Sequence, residues 1–164
     1  MATPGFVAMV MGAVETARID PARLMIEVTE SVFMHDSSAA AAVLNDLRSA
    51  GIGISIDDVG IGYSSLGYLE QLPVDQLKVD RTFVSRLDGS KRALAIVRSV
   101  VELAHAVGLQ VVAEGVENSD QHSTLLAMGC DRAQGFLYAR PVPPDSIPRI
   151  LIQKPARLVP TARS

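Results

Sequence analysis

Short apolar segments alternate along this chain with stretches whose apolar residues recur every three or four positions. Residues 24–28, 52–56, 77–79 and 109–113 predict buried strands, residues 133–138 predict a further strand, and the stretches between them predict helices. The repeat of roughly 25–35 residues is typical of parallel strands joined by crossover helices. The sequence therefore predicts an α/β fold.

The acidic residues discriminate between two architectures that fit this alternation, an open doubly wound sheet and a (β/α) barrel. Five carboxylates fall at or beside the carboxyl ends of four predicted strands: Glu27, Asp57, Asp58, Asp80 and Glu114. In a barrel these strand ends converge on one mouth, where active sites lie. In an open sheet they would be spread along an edge, so the acids favour the barrel.

So many carboxylates at one mouth would repel one another and therefore require counter-charge. Lys78 supplies one positive charge, two residues before Asp80 and hence on the same face of that strand. Hard divalent cations, which prefer oxygen ligands, would supply the rest. The adjacent pair Asp57 and Asp58 would allow one carboxylate to bridge two metals, which favours in-line displacement at phosphorus. Taken singly, Asp80 or Glu30 is better explained as a helix cap or a hydrogen-bond acceptor in a loop.

Composition and motifs argue against several other classes. The net charge of −3, without a rich basic patch, argues against binding of a DNA or RNA polymer. None of the three histidines falls at a predicted strand end, which argues against zinc. Cys130 is the single cysteine, so no disulfide forms within the chain, which fits a reducing cytoplasm. No stretch reaches the roughly 18 apolar residues of a membrane span. We therefore expect a cytoplasmic protein.

Five motifs, in this order, resemble those of the EAL-domain cyclic-di-GMP phosphodiesterases. They are EVTES at 27–31, DDVGIGYSSL at 57–66, KVDRTF at 78–83, VAEGVE at 112–117, and QGF at 134–136 with Arg140-Pro141. Val59 and Ile61 replace a phenylalanine and a threonine that are usual in the family. The resemblance implies a modified (β/α)8 barrel, similar to a TIM barrel. It also implies hydrolysis of cyclic di-GMP to linear pGpG with two Mg²⁺ or Mn²⁺ ions.

The resemblance also implies a role for each matching residue. Glu27 and Asp57 resemble metal ligands, Asp58 resembles a ligand of the second metal, and we place Asp80 with them. Lys78 and Glu114 resemble the groups that position and activate the attacking water. Glu30 resembles the anchor of the loop at 57–66, and Glu117 and Gln134 resemble groups around the metals or the substrate.

Two segments of the family pattern are not among these 164 residues. They are the E-A-L-x-R strand and a second strand with a metal-binding asparagine. We therefore expect a partial (β/α)8 barrel over residues 1–145, lacking the first two strands of the EAL fold, then a C-terminal helix and flexible tail over 146–164. We expect weak or absent activity and, because sheet edges are left open, a homodimer. Whether signalling domains precede these residues in a longer parent protein stays an open question.

Two alternatives remain. One is a catalytically inactive module that binds cyclic di-GMP or a partner protein. The other is an unrelated metal-dependent barrel enzyme. Binding of the nucleotide without hydrolysis would favour the first, and metal binding without nucleotide binding would favour the second.

Overall fold

The computed structural model describes residues 5–29, 32, 37–59 and 72–153. Contacts divide the chain into two compact units, one of Met1–Lys78 with Ala104–Gln110 and the other of Val79–Leu103 with Val111–Ser164. We call them unit 1 and unit 2. None of the helices in the described ranges is long and apolar enough to cross a membrane.

Helices and strands alternate through both units. The first part of the chain contains α1 (Phe6–Ala17), a 3₁₀ turn (Pro21–Arg23), β1 (Met25–Thr29), α2 (Ser37–Ser49), β2 (Gly53–Val59) and β3 (Gln76–Val79). The second part contains α3 (Arg81–Val84), α4 (Lys91–Ala106), β4 (Gln110–Ala113), α5 (Ser119–Ala127), β5 (Arg132–Ala133), a 3₁₀ turn (Pro144–Ser146) and α6 (Ile147–Gln153).

The five strands lie in the sheet in the order of the sequence, β1-β2-β3-β4-β5. β1 and β2 are parallel, with Met25 opposite Gly53 and Thr29 opposite Asp57, and β4 and β5 are parallel as well. A doubly wound sheet reverses its strand order at a switch point, whereas a barrel adds its strands consecutively. The order confirms the α/β prediction and agrees with a partial barrel.

Alternation along the strands of unit 1 separates an apolar face from a polar one. Ile54, Ile56 and Leu77 are buried on the first face, where α2, carrying buried Leu44 and Leu47, contacts β2. Successive strand residues point to opposite faces. The intervening positions, at the other face, hold the polar residues Glu27, Ser55, Asp57, Gln76 and Lys78.

Each unit also uses an aspartate immediately before a strand to satisfy the backbone of the preceding strand. In unit 1, Asp75 Oδ2 accepts a hydrogen bond from the Ile54 N–H at 2.9 Å, and Oδ1 pairs with Arg48 at 2.8 Å. In unit 2, Asp131 Oδ2 accepts from the Val111 N–H at 2.8 Å. These bonds set the starts of β2 and β4, because strand N–H groups left unpaired inside a fold are costly.

Two sequence expectations about strand bounds are wrong. The strand predicted at 133–138 ends after Ala133, because the chain turns there and the Tyr138 N–H bonds to the Gly135 carbonyl at 3.1 Å. Glu27 lies in the middle of β1 and Asp57 inside β2, not at strand ends. Backbone pairing of Thr29 with Asp57 extends both strands past the acids, since ladder hydrogen bonds do not depend on the side chain.

Candidate functional site

A buried lysine joins two carboxylates on the polar face of unit 1. Lys78 Nζ lies 2.6 Å from Glu27 Oε2 and 3.3 Å from Asp57 Oδ1. The lysine is 4% exposed, whereas the side chains of Glu27 and Asp57 are 49% and 26% exposed. We call these three residues the Lys78 cluster. The ammonium group of Lys78 is shielded from water, whereas both carboxylates remain accessible to water.

The strands explain why these side chains meet. Glu27 comes from β1, Asp57 from β2 and Lys78 from β3, and the three strands are consecutive in the sheet. One step along the same face, Gln76 Nε2 donates to Ser55 Oγ at 3.1 Å, and both residues are buried. Within the described residues, Gln76 Oε1 has no hydrogen-bond partner. The hydrogen bond between Gln76 and Ser55 links β2 to β3 and so supports the spacing of the Lys78 cluster.

Unit 2 contains a second pair of predicted site residues in direct contact. Glu114 follows β4 directly, and its Oε1 accepts a hydrogen bond from Gln134 Nε2 at 2.7 Å. The backbone fixes both residues: the Glu114 N–H bonds to the Val79 carbonyl, and the Gln134 N–H to the Ala113 carbonyl. The amide of Gln134 therefore orients the Glu114 carboxylate.

A cleft of about 400 Å³ surrounds this pair. Its lining combines two carboxylates, two guanidinium groups and one aromatic ring, together with backbone and small residues: Arg81, Glu114, Gly115, Glu117, Gln134, Gly135, Phe136, Ala139, Arg140 and Pro141. The Arg140 guanidinium carbon lies 4.5 Å from the centre of the Phe136 ring, a cation–π contact. Phe136 is 51% exposed, so the cleft presents an aromatic surface to solvent.

A glycine permits the close backbone approach that shapes this cleft. A Cβ on Gly135 would lie 2.2 Å from the Val116 carbonyl oxygen and 2.3 Å from its nitrogen. Gly135 also has φ +156°. Only glycine fits there, and this allows the segments carrying Glu114 and Gln134 to run side by side.

Asp80 follows β3 directly and caps α3. Its Oδ1 accepts a hydrogen bond from the Thr82 N–H at 2.8 Å. Burial raises the pKa of this carboxyl, but hydrogen bonds from Thr82 and Arg81 and the positive charge of Arg81 outweigh it, so the net pKa lies below its ordinary value. The helix-cap explanation therefore accounts for Asp80, and its place among the metal ligands stays a prediction.

The structure places the remaining predicted residues as follows. Glu117 lines the cleft of unit 2. Asp58 belongs to β2, but its side chain lies outside what the structure describes, as do Glu30 and the loop from residue 60 to 66. Among the described residues, no group of three or more histidine, cysteine, aspartate or glutamate side chains could hold a metal ion. Glu27 and Asp57 nevertheless offer oxygen ligands of the kind that Mg²⁺ and Mn²⁺ prefer.

Sequence reasoning missed several residues that shape the site. Arg81, Phe136 and Arg140 belong to the quoted motifs but received no role, and they line the cleft. His122 received no role either, yet from α5 its Nδ1 lies 2.7 Å from the Tyr138 hydroxyl, next to the turn that carries Phe136. No periodicity in the sequence signals such a contact, because the two residues lie 16 positions apart.

Known proteins resemble this chain along most of its length. The sequence model of the EAL domain matches residues 1–141. The bifunctional diguanylate cyclase/cyclic di-GMP phosphodiesterase MucR of Pseudomonas aeruginosa is 43% identical over 143 residues, which are 87% of this chain and 21% of MucR. The chain thus spans about a fifth of the length of that relative.

Solved structures share the fold. The PaMucR phosphodiesterase in complex with c-di-GMP superposes with a TM-score of 0.84 at 43% identity, covering 89% of this chain and 59% of that one. Klebsiella pneumoniae BlrP1 in a manganese/cy-diGMP complex gives 0.78 at 38% identity, covering 85% of this chain and 36% of that one. By its sequence match and its fold, the chain belongs to the EAL domain family.

Proposed function

We propose that this domain hydrolyses cyclic di-GMP to linear pGpG in a reaction that requires divalent metal. The Lys78 cluster is the observation that carries the proposal. A buried ammonium group beside two accessible carboxylates provides both a fixed hydrogen-bond donor for an attacking water and oxygen ligands for a cation. Relatives named as phosphodiesterases and solved as c-di-GMP complexes support the substrate.

The reaction assigns a task to each group. The oxygen of water forms a bond to phosphorus, the bond from phosphorus to the 3′ oxygen breaks, and the proton that water loses is balanced by the proton that the 3′ oxygen gains. Lys78, held by Glu27 and Asp57, orients the water. The resemblance to the family, and not a distance in the structure, assigns proton acceptance to Glu114, whose carboxylate Gln134 orients.

The donor set fits Mg²⁺ or Mn²⁺ as cofactor. Glu27 and Asp57 would hold the cation, with Asp58 as the proposed ligand of a second one. When bound, divalent cations neutralise phosphate charge and lower the pKa of water. The manganese complex of BlrP1 supports the requirement for a metal.

The cleft of unit 2 supplies chemistry suited to a cyclic dinucleotide. The guanidinium groups of Arg81 and Arg140 match phosphate oxygens, and the exposed face of Phe136 suits stacking on a base. Stacking of a base on an aromatic ring contributes about 1–3 kcal/mol. We therefore expect Phe136→Ala to weaken nucleotide binding about 10-fold, the value that corresponds to roughly 1.4 kcal/mol.

Hydrolysis is tested by incubating the protein with cyclic di-GMP and Mn²⁺ or Mg²⁺ and separating the products by chromatography. Lys78→Met and Glu114→Gln should each abolish formation of pGpG, while Lys91→Met, at an exposed lysine on α4, should leave it unchanged. Equal rates in wild type and Glu114→Gln would refute the proposed role of Glu114.

A non-enzymatic module that binds cyclic di-GMP is the second candidate. Its support is that Lys78 already pairs with both carboxylates that would hold a metal. Calorimetry with cyclic di-GMP separates the two candidates, because tight binding without any pGpG after prolonged incubation with metal favours the module.

We also propose that these 164 residues, assayed alone, hydrolyse cyclic di-GMP more slowly than a polypeptide that additionally carries the E-A-L-x-R and asparagine segments. Equal turnover of the two would contradict this expectation.

A homodimer is the proposed assembly, since strand β1 lies at one edge of the described sheet and edge strands invite pairing. Light scattering that gives the mass of a monomer would refute the dimer.

A further inference from the structure

A buried amide in unit 2 connects the segment at 114–117 to a carboxylate outside the cleft. Gln121, in the first turn of α5, is only 4% exposed. Its Oε1 accepts a hydrogen bond from the Glu117 N–H at 2.8 Å, and its Nε2 donates to Asp88 Oδ2 at 3.3 Å. Both ends of the amide are therefore engaged.

Asp88 determines which way this amide faces. Asp88 Oδ2 also accepts from Asn118 Nδ2 at 3.0 Å, and Asn118 Oδ1 caps the N–H of Gln121 at 2.9 Å. An ionised carboxylate accepts hydrogen bonds and donates none. It must therefore face the NH₂ group of Gln121, which leaves Oε1 directed at Glu117.

The hydrogen bond to Glu117 adds to others that hold the same segment at Glu114 and Val116. Glu114 is tied through its N–H to the Val79 carbonyl. Val116 is tied twice, by its N–H to the Gln134 carbonyl and by its carbonyl to the Leu137 N–H, each at 3.0 Å. Gln121 fixes the end of the segment where the chain enters α5.

We propose that Gln121, oriented by Asp88, is a positioning residue for the Glu114 carboxylate. The proposal rests on the function proposed above, since it assumes that Glu114 acts on the substrate. Gln121 does not line the cleft and acts through the backbone of residues 114–117. Loss of its orientation shifts Glu114 away from Gln134 and lowers turnover.

The test is Gln121→Glu, which keeps the shape of the side chain but sets a second carboxylate against Asp88. We expect kcat for cyclic di-GMP to fall about 10–100-fold, the usual effect of removing a partner that orients a metal-site group, with KM little changed. Adding Asp88→Asn should restore most of the rate, because its amide can donate to the introduced carboxylate. Gln110→Glu makes the same chemical change at an exposed position and should have no effect.

Hydrogen exchange of the Glu117 amide gives a readout that does not depend on activity. The amide should be protected in wild type, exchange faster in Gln121→Glu, and regain protection in the double variant. An unchanged kcat in Gln121→Glu, or no recovery in the double variant, would overturn the proposal. If Gln121→Glu fails to fold, Asp88→Ala, at an exposed side chain, should show the same loss of kcat and of Glu117 protection, and an unaffected Asp88→Ala would overturn it equally.

The two proposals fail in distinguishable ways. If the wild type shows no hydrolytic activity but exchange of the Glu117 amide responds to the variants as expected, the anchoring of Glu117 is upheld. The phosphodiesterase function and the positioning role of Gln121 are then both refuted. Hydrolysis that is unaffected by these variants would leave the phosphodiesterase intact and remove only the role of Gln121.

Discussion

The Lys78 cluster predicts an unequal response to removing its cation and removing its carboxylates. Lys78 is 4% exposed, whereas its partners Glu27 and Asp57 keep 49% and 26% of their side-chain surface in water. A charge that stays buried after its partner is removed costs about 3–5 kcal/mol, but an exposed charge costs about 0–1 kcal/mol. Removing the carboxylates, which leaves the Lys78 charge buried without them, should therefore lower stability more than removing Lys78 itself.

The perturbation is Glu27→Gln combined with Asp57→Asn. We expect the free energy of unfolding to fall by about 3 kcal/mol, the lower end of the buried range, because Lys78 takes part in further interactions. Lys78→Met alone should cost about 0–1 kcal/mol, since both carboxylates retain hydration. Adding Lys78→Met to the double variant should recover most of the loss.

Urea unfolding followed by circular dichroism measures these free energies, with the slope against urea expected to stay constant. Lys91→Met, at an exposed lysine, is the matched control and should change stability little. The reasoning fails if the double variant is as stable as wild type, or if the triple variant is no more stable than the double one.

Three further predictions follow from single residues. Because the folded pKa of Asp80 lies below its ordinary value of 3.8, its stabilising contribution is present above about pH 4 and is lost as the pH falls through the folded pKa; Asp80→Asn should flatten the acid limb of a pH–stability curve. Gly135→Ala should destabilise the fold by more than about 1–3 kcal/mol in thermal unfolding, since the added Cβ would overlap the backbone of Val116, and a melt like that of wild type would contradict the close approach. Burial raises the pKa of Cys130 to about 11, so alkylation by iodoacetamide at pH 8 should be slow until urea unfolds the chain; rapid labelling of the native protein would contradict its burial.

The fold was accessible from sequence because its signals are local and repeated. Alternating residues such as Ile54 and Ile56 predicted a buried strand, and the spacing of Val97 and Val101 predicted an amphipathic helix, which the structure contains as α4. Strand bounds were less accessible. β1 continues past Glu27 because backbone pairing with β2 sets its length.

The site was accessible in part for the same reason. Placing acids near strand ends predicted that they gather and that Lys78 supplies counter-charge, and in the structure Lys78 contacts Glu27 and Asp57. The network of Asp88, Asn118 and Gln121 was not predicted, because its members lie up to 33 positions apart and meet only when the chain folds. The predicted domain boundary at residues 145 and 146 stays a prediction, and residues 154–164 lie outside the described part of the chain.

Chromatography of cyclic di-GMP incubated with the protein and Mn²⁺ tests the central claim most directly. Our account predicts pGpG as the product, formed only with the divalent ion present and lost in Lys78→Met and Glu114→Gln. Recovery of intact cyclic di-GMP from a protein that binds the nucleotide and the metal would contradict it.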